Sequence, residues 1–390
     1  MNICFFTTEF PNLRSGGIEN VTFRLAQEFI RRGHNVFCIS LNADVNCSDV
    51  PFKYMTIDKT NNSNSIIIRD FIRTNNIKIC INQAIENTFL EIIKCIKSQL
   101  PDVKFVKVHH TDPMSFSKGV IDNEPLYTHK RPYLRFLYTS SPLYLLRLYR
   151  RNNYARDLFR DWIKLYDQIV VLSKEYISDL KKVAQTTSCN NVIAIGNPSS
   201  FEDYKCSLPK ENIVLYVGRL NRQAKRPDRL LAIWKKIYDY STDWQLVIIG
   251  DGPLKPELEY YCKIHGLKNV SFCGQINPRE YYKRASIICI TSTYEGVPVV
   301  CSEAFSAEVV PIAFNSFSAI KDLIKDGYNG LLVKPYSLKK YAEKLKMLMR
   351  HSGYRDRLRE NIQNDTAFER NFSMDVIVGE WEKLFEQLII

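Results

Sequence analysis

The sequence predicts an α/β protein made of two doubly wound domains, each with a parallel sheet. Three observations carry that expectation. Short β-branched or aromatic runs alternate with helical patterns, as in successive βαβ units. The chain has 390 residues, too many for one hydrophobic core and well suited to two domains of nearly equal size. Near the middle, Asn197–Glu211 turns polar, with Pro198, Pro209 and several serines, and reads as a linker.

In the first half, strands are expected at Asn2–Thr7, Asn35–Ser40, Lys78–Asn82, Val103–Val108, Gln168–Leu172 and Val192–Ile195. Val21, Leu25, Ala26, Phe29 and Ile30 fall at helical spacing after the first strand, and Gly33 ends that helix. A second series of strands is expected at Ile213–Val217, Gln245–Ile249, Val270–Phe272, Ile287–Ile290, Val310–Phe314 and Leu331–Val333. Val376–Ile390 reads as an amphipathic helix bearing Trp381, Leu384 and Phe385. The domain plan is therefore 1–198, a linker at 199–211, 212–373, and a terminal helix at 374–390. A basic aromatic insertion, about 113–164, sits inside the first domain.

Composition excludes several classes. Met1-Asn-Ile-Cys-Phe-Phe lacks a basic leader and reads as a buried strand, and no apolar stretch is long enough to span a bilayer. The 11 cysteines are scattered, with no CxxC pair, which fits reduced thiols and a cytoplasmic setting. The formal charge is +12, from 54 basic and 42 acidic residues. Much of the excess lies in Lys130–Lys164, where arginines alternate with tyrosine, phenylalanine and tryptophan. That mixture suits an anionic membrane surface, such as the inner face of the cell membrane, or a solvated helical insertion with an aromatic core. No nucleic-acid-binding signature accompanies it.

The most informative stretch is Thr291-Ser-Thr-Tyr-Glu-Gly-Val-Pro-Val-Val-Cys-Ser-Glu303. Glu295 ends a β-branched run, Gly296–Pro298 make a turn, and Glu303 is expected about two turns into the helix that Pro298 opens. Backbone N–H groups at a helix start can take an anion. A ligand with hydroxyls at both ends and phosphates in the middle suits that layout, and a nucleotide sugar is such a ligand. Around the two glutamates stand Val217-Gly-Arg-Leu, Lys225-Arg-Pro, Ile249-Gly-Asp-Gly-Pro253, Phe272-Cys-Gly274, Pro311-Ile-Ala-Phe and Lys325-Asp-Gly-Tyr-Asn-Gly-Leu-Leu332. In this order the set resembles retaining glycosyltransferases of the GT-B fold, most closely glycosyltransferase family 4, with the strongest likeness over Val214–Pro335.

That resemblance implies two Rossmann-like domains facing across a cleft, and it implies roles. Arg219 and Lys225, beside Gly218, would hold the diphosphate. Glu303 would take the ribose hydroxyls and Glu295 the donor sugar. The N–H groups of Gly296, Val297 and Val299 would hold the distal phosphate, and Gly274, Gln275 and Ile276 would line the base pocket. Gly16 and Gly17, after the first strand, would approach phosphate or sugar, with Glu19 completing a Gly-Gly-x-Glu pattern. A simple turn explains the glycines as well. The family's histidine near the transferred sugar matches His109 or His110, with His109 preferred, and Asp112 is an acceptor-side candidate. One departure stands out: Glu308 occupies a position where relatives commonly have glycine.

The expected activity is transfer of a sugar from a nucleotide diphosphate donor, uridine diphosphate by family frequency, to a glycan or lipid-linked hydroxyl with retained configuration. Cell-surface polysaccharide synthesis is the expected setting. No Asp-x-Asp tract is present, so neither a metal nor a cofactor is expected beyond the donor itself. The rivals are a GT-B nucleotide-sugar epimerase and a non-catalytic sugar-nucleotide binding protein. An NAD-dependent oxidoreductase is disfavoured, because no G-x-G-x-x-G follows the first strand.

Overall fold

The computed structural model describes residues 1–12, 17–41, 50–58, 61, 63–122, 132–199, 209–240, 243–365 and 372–389. Two parallel sheets organise them. The first holds β1 (Asn2–Thr7), β2 (Asn35–Ser40), β3 (Lys53–Thr56), β4 (Ile79–Asn82), β5 (Lys104–His109), β6 (Gln168–Val171) and β7 (Val192–Ala194), in the order β3-β2-β1-β4-β5-β6-β7. The second holds β8 (Glu211–Val217), β9 (Gln245–Ile249), β10 (Val270–Gly274), β11 (Ala285–Ile290), β12 (Val310–Phe314) and β13 (Leu331–Val333), in the order β10-β9-β8-β11-β12-β13.

Each order reverses once, between β1 and β4 in the first sheet and between β8 and β11 in the second. In open α/β sheets such reversals leave a crevice at the carboxyl ends of the strands. Helices cover both faces of a parallel sheet, so its strands read as continuous apolar runs. β11 and β12 are buried throughout, and β1 is buried from its second residue on. The expected strands match these within a residue or two. β3 was not expected. It is a four-residue edge strand, mostly exposed, and its Lys53 pairs with Phe37, so it carries no apolar run to betray it.

The chain forms two compact units: Met1–Pro113, Asn152–Pro198 and Asn371–Ile390 in one, Met114–Arg151 and Ser199–Arg370 in the other. The division departs from the plan read from the sequence, which kept 113–164 with the first domain. Within the second unit, the helix Ser115–Asp122 donates Lys118 Nζ to the Ser316 carbonyl at 2.8 Å and brings Gly119 against Tyr294. Those contacts bind the segment to residues far along the chain. Of the linker stretch, 200–208 lies outside the described residues, as does Gly16.

The terminal helix Met374–Ile389 belongs to the first unit. Its Phe385 packs on Phe29 with ring centroids 5.4 Å apart, and Glu382 accepts from Arg32 at 2.7 Å. Among the described residues, no helix is long and apolar enough to cross a membrane. Nine described cysteines are free thiols.

Candidate functional site

The crevice between β8 and β11 in the second unit gathers most of the residues singled out in the sequence. After β8 the chain runs through Gly218, exposed Arg219 and a tight loop to Lys225. Asn221 Oδ1 accepts from the Ala224 and Lys225 amides at 3.2 and 3.1 Å, which closes that loop. Arg226 adopts a left-handed conformation, φ 51°, immediately before Pro227, which is favoured as the first residue of the next helix. Across the crevice, Thr291 Oγ1 donates to the carbonyls of Lys225 and Arg226, and the Thr293 amide donates to Ala224 at 2.7 Å. The exit of β11 is thereby tied to the exit of β8.

This tie places Lys225 Nζ 2.7 Å from Glu295 Oε2. Ser292 Oγ donates to the other oxygen, Oε1, at 2.5 Å. The Glu295 side chain is 8% exposed and that of Lys225 26%. A pair this buried is favourable only when its remaining lone pairs are also satisfied, and Ser292 does that. Lys225 lies over Gly218, where an added Cβ would stand 3.6 Å from its Cδ. Buried Tyr216 is pushed up in pKa, first by burial and then by the charges of Glu295 and Asp228.

The Ile249-Gly-Asp-Gly run has a steric explanation. An added Cβ on Gly250, φ 137°, would lie 2.0 Å from the Gly218 carbonyl oxygen, and one on Gly252, φ 155°, 2.5 Å from that of Leu220. Only glycine permits both the approach and the backbone angle. The Gly250 amide donates to Gly274, so three successive strand exits are laced together. Beyond Gly274, Gln275 and Ile276 are exposed.

Pro298 is the cap, with extended ψ, and the motif helix runs Val299–Ser306. Glu303 is thus its fifth residue, just over one turn in, rather than two turns. Tyr282 Oη donates to Glu303 Oε2 at 2.8 Å from a fully buried ring, fixing one carboxylate oxygen. Val297 is buried and Gly296 and Val299 are half-buried at the helix mouth, where first-turn N–H groups lack intrahelical partners. The helix ends at Glu308 in the left-handed conformation, φ 56°, with the Val309 amide donating to Ala304 at 2.8 Å. That geometry favours glycine at this position.

Sequence reasoning missed Ser292, Tyr282 and Lys118. Ser316 Oγ donates to the Ser292 carbonyl at 2.6 Å, and Lys118 donates to the Ser316 carbonyl, so Lys118 supports the loop that carries Glu295. Only Ser292, three residues before Glu295, offered a local signal.

In the first unit, a cavity of about 140 Å³ opens at the β1/β4 reversal, lined by Thr7–Glu9, Ile18, Glu19 and Gln83–Ile85. Gly17 begins the adjoining helix, and an added Cβ there would meet nothing within 4 Å, so close packing does not demand this glycine. The two candidate histidines sit differently at the end of β5. His109 is 5% exposed and packs edge-on against Phe159 and Trp162, with centroids 5.2 and 5.5 Å away. Burial, then the Lys107 charge, pushes it down to about 3, despite a hydrogen bond to the Asp112 backbone. Half-buried His110 touches cavity-lining Gln83 through Nε2 and Oε1, and burial, then the charges of Lys107 and His109, pushes it down to about 3 as well. Asp112 is fully buried. Lys107 is buried too; it donates to the Ala84 carbonyl and lies 4.9 Å from the Trp162 ring centre. Desolvation lowers it to about 7. Among the described residues, no cluster of histidine, cysteine and carboxylate groups could hold a metal.

Residues 202–365 match the family model described as Glycosyl transferases group 1. A Campylobacter jejuni alpha-1,4-N-acetyl-D-galactosaminyltransferase acting on a diNAcBac-PP-undecaprenol glycan is 34% identical over 196 residues, 49% of this chain and 54% of that protein. The amylovoran biosynthesis glycosyltransferase AmsD of Erwinia amylovora is 31% identical over 232 residues, 56% and 62% of the two chains. The chain thus spans less than two thirds of the length of these relatives. Among solved structures, S. aureus TarM in complex with fondaparinux, alpha-GlcNAc-glycerol and UDP aligns with TM-score 0.75 at 13% identity, over 99% of this chain and 100% of that one. Anabaena HepE in complex with UDP gives 0.75 at 14%, with the same coverage. The fold is GT-B, and the stretch 202–365 is similar to the glycosyl transferases group 1.

Proposed function

We propose that the protein is a retaining, metal-independent glycosyltransferase that moves a sugar from a UDP-sugar to a hydroxyl of a glycan or lipid-linked acceptor. The observation that carries this reading is the Lys225–Glu295 pair set across the β8/β11 reversal, with Arg219 exposed on the loop after β8 and Glu303 on the next helix. The relatives' names support the reaction class, a lipid-linked glycan in one and polysaccharide synthesis in the other. UDP in two related folds supports the donor.

In this reading Arg219 and Lys225 take the diphosphate, assisted by the N–H groups of Gly296, Val297 and Val299. Glu303, with one oxygen held by Tyr282, takes the ribose hydroxyls on the other. Gly274, Gln275 and Ile276 border the base. Glu295 both orients Lys225 and meets the donor sugar. The bond from the anomeric carbon to the diphosphate breaks, and the acceptor oxygen bonds to that carbon from the same face. The acceptor proton passes to the departing phosphate oxygen. Two cations preorganised at the leaving group stabilise the charge that develops there, and removing one such group typically costs 10²–10³ in rate.

The test is to incubate the enzyme with UDP-sugars and a lipid-linked glycan acceptor in chelator, then follow UDP release and the anomeric configuration of the product by NMR. UDP formed in proportion to glycosylated acceptor, with configuration retained, supports the reading. Sugar conversion without an acceptor, inverted product or loss of activity in chelator contradicts it.

A further inference from the structure

The helix Pro142–Leu165 carries apolar residues on the side that faces water. Its inner face is Tyr144, Ala155, Leu158, Phe159 and Trp162, all buried. At 3.6 residues per turn, Leu146 and Tyr149 fall opposite that face, with Leu145 beside them, where a surface helix ordinarily carries polar groups. Tyr149 is 64% exposed, and Leu143 in the first turn is 79%. In the preceding helix, Pro132–Thr139, Phe136 and Leu137 are 68% and 62% exposed. Six large apolar side chains thus meet solvent between residues 136 and 149. Arg147, Arg150 and Arg151 are exposed among them, and the sequence has no acidic residue from Pro132 to Arg156.

We propose that this face, Phe136 to Arg151, docks on an anionic lipid surface, with the leucines and aromatics entering the headgroup boundary and the three arginines meeting lipid phosphates. Apolar residues flanked by cations are the pattern of a helix that lies in the interfacial plane. Charge decides against a second copy as the occupant: a symmetric contact would set this uniformly basic face against itself. The basic aromatic segment of the sequence is thereby divided, with Tyr144, Phe159 and Trp162 serving the core and Phe136 and Tyr149 the surface. The inference stands apart from the transfer reaction and survives if that reading fails.

The test is co-sedimentation of the full chain with phosphatidylcholine vesicles, with and without phosphatidylglycerol, at low salt. Binding to the anionic vesicles and little to the neutral ones is expected. Joint replacement Arg147→Gln, Arg150→Gln and Arg151→Gln should weaken binding about 100-fold, each cation contributing about fivefold near an anionic surface. Leu146→Glu with Tyr149→Glu should weaken it at least tenfold. Both variants alter exposed side chains, so unchanged circular dichroism will show that they fold. Equal sedimentation of wild type and charge variant overturns the proposal. So does a dimer in light scattering that Leu146→Glu dissolves while vesicles go unbound.

Discussion

The two halves of the molecule place a lysine near the reversal of each sheet and treat it in opposite ways. In the second unit Lys225 is half exposed, bonded to a carboxylate and carried on a loop pinned by Thr291 and Thr293. In the first unit Lys107 lies within β5, sealed from water, with a carbonyl and an indole ring for company and its pKa pulled down to about 7. A cation set beside a carboxylate at an open crevice can recruit phosphate. One that is desolvated without a counter-charge mainly shapes the fold around it. The contrast teaches that a charged residue at a strand end earns a ligand role only when its charge is both satisfied and reachable.

The largest expected effect concerns the histidines of β5 and its exit. His110→Ala should lower the transfer rate about 10²-fold at unchanged circular dichroism, the scale for removing a group aligned with the reacting sugar. His109→Phe, which keeps the ring contacts with Phe159 and Trp162, should leave the rate within about threefold. It should cost about 1 kcal/mol of stability from the lost Asp112 bond. The reverse ranking would break the comparison by making the buried face of β5 catalytic.

Lys107 gives the next effect, through pH. Its folded pKa of about 7 lies below the ordinary 10.5. Below pH 7 both states hold the proton and the burial penalty is complete. Between about 7 and 10.5 the unfolded chain keeps the proton while the folded one releases it, so stability rises with pH by up to about 1.4 kcal/mol per unit. Urea titrations at several pH values across that window should show the slope in wild type and its loss in Lys107→Met. A slope that persists in the variant would remove Lys107 from this account.

Glu308→Gly is the smallest. The left-handed backbone costs a non-glycine residue about 1–2 kcal/mol, offset by roughly 0.5–1 for glycine's extra freedom when unfolded. The 3.7 Å contact with Arg359 is weak support for the glutamate. A gain of about 0.5–1 kcal/mol in urea is expected, and a loss would mean that the Arg359 pair outweighs the strain.

Most of the architecture was legible in the sequence because strands covered on both faces must be apolar along their length, and nearly every buried strand announced itself that way. β3 escaped because an exposed edge needs no such run. The membership of Met114–Arg151 escaped for another reason: it rests on Lys118 reaching Ser316, 198 residues away, which no local pattern encodes. Adjacent residues on a strand point to opposite faces, and the sequence does not say which face is covered, so the choice between His109 and His110 had no local guide. Family resemblance put Lys225 and Glu295 in one site with separate roles, while their direct ion pair and the anchors Ser292 and Tyr282 had no guide in the sequence. Glu308 was noted only as a departure from the family's glycine, and the left-handed backbone found there accounts for that glycine.

The account's central claim, that the β8/β11 crevice of the second unit is the donor site, is tested most directly by titrating UDP calorimetrically into wild type, Lys225→Ala, Glu303→Gln and His109→Phe. Hydrogen bonds to charged groups contribute about 1.5–3 kcal/mol, so the first two variants should bind 10- to 100-fold more weakly than wild type. His109→Phe should match it. Equal affinity across all four proteins would contradict the account.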